Sequence, residues 1–149
     1  MPIAGQSLLS VRGKVDIGPP LGLRAGGSDV AKLEKLNETL QAITALEGVS
    51  GAMVVNRGGL VIASKLPKTL HEDAFAAMIA TMMGAAQTAS LPLGIADPRS
   101  VVVDLGSGGI VAMGVGSKGI LVALSNDASA LAGLADVLSD FRDEVKEIV

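Results

Sequence analysis

The chain has 149 residues, of which 49% are apolar and 18% charged, so composition argues for one folded domain and against wholesale disorder. It contains no cysteine, which excludes disulfides and thiolate metal sites, and only two aromatic residues, Phe75 and Phe141, which leaves almost nothing to stack on nucleobases or a flat cofactor. A net charge of −3 argues against nucleic acid as a partner of the whole chain, and no cofactor or metal is expected.

Residues 1–28 differ from the rest. They carry a net +2 against −5 for residues 29–149, hold six glycines and three prolines, and show no helical period. They read as an extended, flexible N-terminal arm whose Ile3, Leu8, Leu9 and Val11 could pair with a sheet edge or a partner. Residues 29–149 read as one domain. Val30, Leu33, Leu36, Leu40, Ile43 and Leu46 step by three or four and form one stripe of a helix, with Ser28 or Asp29 as its cap and Gly48 at its end. Residues 49–55 are apolar and partly β-branched, the run 56–59 (Asn-Arg-Gly-Gly) is turn chemistry, and residues 60–64 return as a second strand, which together predict a hairpin.

Thr69 and Glu72 have capping-box spacing ahead of a predicted helix over residues 70–89, closed by Pro92 and Gly94. Three glycine-bounded strands follow at 100–105, 110–115 and 120–125. Asn126 or Asp127 then caps a last helix with the stripe Leu131, Leu134, Leu138, Phe141, Val145 and Ile148. The order is α-β-β-α-β-β-β-α. The strands are apolar on both faces, so both faces need covering by helices. The expected fold is an α/β sandwich (α+β), a five-stranded antiparallel sheet with helices on both faces.

The middle helix is the informative element. Phe75, Met78, Ile79, Met82, Met83, Ala85 and Ala86 spread around much of its circumference. One side can pack on the sheet, and in a domain this small the other side calls for a second chain. Mean hydropathy is +0.52, and residues 74–96 carry no charge over a length able to span a bilayer. The polar Thr81, Gln87, Thr88, Ser90 and Pro92, with acidic flanks at Glu72, Asp73 and Asp97, read instead as a buried helix of a soluble protein. No signal peptide is expected, and the location is read as cytoplasmic.

Catalytic chemistry finds little purchase. The string Gly114-Val115-Gly116-Ser117-Lys118-Gly119 matches G-x-G-x-x-G, but a strand rather than a helix follows it, so it reads as a hairpin turn. His71 is the single histidine and reads as an exposed first-turn residue, and Asp104 as an edge or rim residue. No Ser/His/Asp set stands out, so no enzymatic activity is expected.

The stretches 48–55 (GVSGAMVV) with 59–64 (GLVIAS), and 119–124 (GILVAL) leading into the last helix, resemble the roadblock family of dynein light chains and Ras-like GTPase regulators. The resemblance covers about residues 29–149. The hairpin tip, Arg57-Gly58-Gly59, stands where that family commonly has an acidic residue before a single glycine. The resemblance implies a homodimer, or a heterodimer with a paralogous roadblock chain. The third strand, with Val101, Val102 and Val103, would pair with its twin, and the two middle helices would lie together on one face. With the helix residues Phe75, Met78, Ile79, Met82, Met83 and Ala86, these form the expected dimer or partner interface. It further implies a non-catalytic regulator or scaffold of a Ras-like small GTPase. The alternatives are a structural adaptor light chain and a small-ligand sensor module.

Overall fold

A computed structural model describes residues 26–149, with side chains from Asp29 onward. The chain divides into two units between Lys35 and Leu36, the boundary falling inside the first helix. Most of the predicted N-terminal arm therefore lies outside the described residues. Its last three residues do not: α1 runs Gly26–Thr44, so the helix starts ahead of the predicted cap and Asp29 sits in its first turn. An acidic first turn suits the positive end of the helix dipole.

Within the first unit, Val30 and Leu33, the first two residues of the predicted stripe, are exposed. A helical period marks an amphipathic face but not what covers it. Burial begins in the second unit with Leu36, Leu40 and Ile43. The helix tightens at its end, where the Leu46 amide donates to the Ile43 carbonyl at 3.1 Å, and Gly48, at φ 83°, turns the chain into the sheet.

The strands β1 (Val49–Asn56) and β2 (Val61–Lys65) form the predicted hairpin. Asn56 organises its tip: the side-chain oxygen accepts from the amides of Gly58 at 2.9 Å and Leu60 at 3.0 Å. That satisfies two loop amides that no ladder reaches. The β1–β2 register slips between Val54 and Val55, a bulge beside the outer strand.

The helix α2 (Glu72–Ser90) starts two residues later than predicted, and the capping box does not form. His71 is its N-cap and makes no side-chain cap bond. Glu72 instead accepts a hydrogen bond from the Ser64 hydroxyl at 2.7 Å, which ties the helix start to β2. A single 3₁₀ turn, Leu91–Leu93, follows α2 and ends at Gly94. Then come β3 (Ser100–Asp104), β4 (Gly109–Val115), β5 (Gly119–Ser125) and α3 (Ala128–Ile148). Asp127 caps α3 through the Ser129 amide, as the sequence suggests.

The five strands form one antiparallel sheet in the order β2-β1-β5-β4-β3. Alternation along each strand feeds two cores. Ala52, Val54, Val111, Leu121 and Ala123 face Leu36, Leu40 and Ile43 of α1 and Leu131, Leu134, Leu138 and Val145 of α3. Met53, Val55, Ala112, Ile120 and Val122 face Ala76, Ile79 and Met83 of α2. The second unit is the expected three-layer sandwich. Among the described residues, two helices cover one face of the sheet and α2 alone covers the other.

Candidate protein interaction surface

That asymmetry shapes the surface. In α2, Ala76, Ile79 and Met83 point into the core, while Phe75 and Met82 are half-buried against it. On the opposite side Ala77, Met78, Thr81, Gly84, Ala85, Thr88 and Ala89 are exposed, and Met78 leaves 69% of its surface to solvent. No charged residue occurs from 74 to 96. The hydroxyls of Thr81 and Ser90 are already bonded to the carbonyls of Ala77 and Ala86, both at 2.8 Å. Covering this face would therefore strand few polar groups. By length and composition, Glu72–Leu93 could also cross a membrane, and only 17% of its apolar window is buried within the chain.

The apolar surface continues past the helix. Leu91, Leu93 and Ile95 are exposed, Ile95 to 85%. A shallow cavity of about 370 Å³ lies among Ser90, Leu91, Gly94, Ile95, Ala96 and Asp97. It offers few convergent polar groups, because the Ser90 hydroxyl is spent on the helix. At the sheet border β3 pairs, among the described residues, with β4 only, and along it Val102 is 50% exposed and Leu105 67%. Val101 packs against the α2-side core, and Val103 is half-buried.

The nine residues expected at an interface therefore divide. Met78 and Val102 are outward-facing. Phe75, Met82, Ala86, Val101 and Val103 are partly covered. Ile79 and Met83, each 2% exposed, belong to this chain's own core, because the sheet-facing stripe of α2 passes through them. Within the expected set, Met78 and Val102 are therefore the residues that offer most surface to a second protein. Sequence reasoning missed Leu91, Leu93, Ile95 and Leu105. Leu91, Leu93 and Ile95 fall outside any regular period, and the one signal they give is the uncharged run itself, whereas Leu105 lies beyond that run at the end of the predicted strand 100–105.

The glycine string Gly114–Gly119 is a hairpin, as read from sequence. Gly114 and Val115 end β4, Gly119 opens β5, and Gly116 turns at φ 61°. The carbonyls of Gly114 and Gly116 accept from Arg142 Nε at 3.0 Å and Arg57 Nη2 at 3.3 Å. Asp104 lies exposed on the edge strand, one oxygen accepting from the Gly106 amide at 2.8 Å. Among the described residues, no group of three His, Cys, Asp or Glu side chains is placed to hold a metal ion.

Residues 35–125 match the Roadblock/LC7 domain family. The chain belongs to that family. The uncharacterized protein MJ0714 of Methanocaldococcus jannaschii is 34% identical to this Roadblock/LC7 chain over 99 residues, 66% of this chain and 82% of that one. The gliding protein MglB from Thermus thermophilus is 25% identical and superposes with a TM-score of 0.70 over 79% of this chain and 90% of its own. Myxococcus xanthus MglB, at 17% identity, superposes with a TM-score of 0.72 over 78% of this chain and 88% of its own, a likeness of fold. The element order and the antiparallel sheet are thus those of a Roadblock/LC7 domain, as the sequence resemblance implied.

Proposed function

We propose that this Roadblock/LC7 chain is a non-catalytic, dimeric regulator or scaffold that works in the cytoplasm and binds a Ras-like small GTPase. One observation carries the reading: among the described residues, the outer face of α2 is uncharged and uncovered, beside a sheet edge that has no neighbour. Exposed apolar surface on this scale marks an interaction site. A twin chain pairing along β3 would lengthen the sheet and set two α2 helices side by side, which shields part of that surface. The pair of helices would then form the platform on which the family resemblance expects the GTPase to dock. An adaptor light chain would use the same surface, and the few convergent polar groups of the cavity beside Ile95 favour a protein partner there over a small ligand.

Two measurements test the reading separately. Light scattering at micromolar concentration should give twice the chain mass, and a monomer would remove the dimer. Pull-down against the host's small GTPases, loaded with either nucleotide, should retain at least one. A dimer that retains none keeps its assembly and loses its regulatory role.

A further inference from the structure

The backbone of β3 restricts how a second copy can join it. The Gly114 amide donates to the Arg99 carbonyl at 3.2 Å, and the Leu105 amide to the Gly108 carbonyl at 2.8 Å. With the ladder Val101↔Ala112 and Val103↔Ile110, this fixes which peptide groups face inward. Arg99, Val101, Val103 and Leu105 turn theirs toward β4, so Ser100, Val102 and Asp104 turn theirs outward, because the two sets alternate in an antiparallel ladder. A twin can bond only to these three residues, and two-fold symmetry leaves few registers.

Centring the pair on Ser100 or on Val101 sets Val102 or Asp104 opposite the twin's Pro98, which has no amide to give. Centring on Asp104 places two carboxylates directly opposite each other, and centring on Val103 sets each carboxylate against a valine. Centring on Val102 avoids all of these. Val102 then meets Val102, and Ser100 meets the partner's Asp104, whose second oxygen can accept from the serine hydroxyl. All three outward residues form bonded pairs. Beyond the strand, Leu105 comes beside the partner's Arg99, whose aliphatic stem can cover it.

We infer that β3 of this chain pairs with a second copy in the single register that puts Val102 on the two-fold axis and Ser100 against the partner's Asp104. This rests on the dimer reading above and deepens it.

The absence of cysteine makes the test clean. Opposed residues in a bonded antiparallel pair have Cα atoms about 5.5 Å apart, inside the disulfide range of about 4.4–6.8 Å. Val102→Cys should therefore oxidise to a covalent dimer. Val101→Cys and Val103→Cys alone set their own thiols two residues out of step, roughly 8 Å apart. Each should cross-link at least tenfold less than Val102→Cys. A mixture of the two should cross-link to each other, because 101 lies opposite 103. Preferential cross-linking of Val101→Cys or Val103→Cys alone would overturn the register while leaving the dimer. A dimeric mass by light scattering with no cross-link in any variant would move the interface away from β3 and overturn the inference. A monomeric mass for the wild type would end the dimer reading itself.

Discussion

Met78→Asp separates what α2 does for its own chain from what it offers to another. Full burial of a methionine side chain is worth about 1.5–3 kcal/mol. Met78 leaves 69% of its surface uncovered, so shielding it in a two-fold pair contributes about 1–2 kcal/mol per copy and ~2–4 kcal/mol per dimer. Losing that much weakens association roughly 30- to 700-fold. The carboxylate adds to the loss, because a buried charge without a partner costs several kcal/mol more. The fold of the single chain should survive, since Met78 contributes nothing to either core. Sedimentation equilibrium across a concentration series would read the dissociation constant, and far-UV circular dichroism would confirm the fold. Met83→Asp is the contrasting variant, because it puts the charge between α2 and the sheet and should unfold the chain outright. A dissociation constant for Met78→Asp within threefold of the wild type would refute the assignment of this face to the interface.

Leu138 is fully buried where α3 meets the sheet, so Leu138→Ala should cost about 2–5 kcal/mol in urea unfolding. A loss below about 1 kcal/mol would mean that the surrounding side chains close the gap. The Asp127 carboxyl is held below its ordinary pKa, chiefly by the hydrogen bond from the Ser129 hydroxyl and then by the Ser129 amide. Its contribution is complete above the unfolded carboxyl pKa of about 3.9 and is lost as pH falls through the lower folded value. The melting-temperature gap between wild type and Asp127→Ala should therefore be constant from neutral pH down to about 5 and narrow below about 4. A gap that widens on acidification would contradict this sign.

The sheet and its layers were legible because glycines and turn clusters punctuate the strands and the central strands β1, β4 and β5 are apolar on both faces. The last helix was legible for the same reason: Leu131, Leu134, Leu138 and Val145 keep a strict period and all four are buried. Where the reading failed, a local rule met a tertiary alternative. Thr69 and Glu72 have the spacing of a capping box, but Glu72 found the Ser64 hydroxyl across the β2–α2 junction. Val30 and Leu33 extend the stripe of α1 into turns that stay exposed. The candidate surface was half legible. The uncharged run showed that α2 carries more apolar surface than one stripe needs, yet Met, Ile and Ala look alike on either side of a helix. Only the fold assigns Ile79 and Met83 to the inside and Met78 to the outside.

The two margins of the sheet are unlike. The margin at β3 runs through Val101, Val102 and Val103 with no slip in its ladder. The margin at β2 is of the same length but ends on an exposed lysine and lies beside the Val54/Val55 bulge. The local twist of a bulge and an ammonium group are what discourage strand addition. An assembly begun at the valine margin therefore exposes only guarded margins once it is complete. In the proposed dimer, growth would stop at a closed pair, so that a greasy seam would not invite fibres.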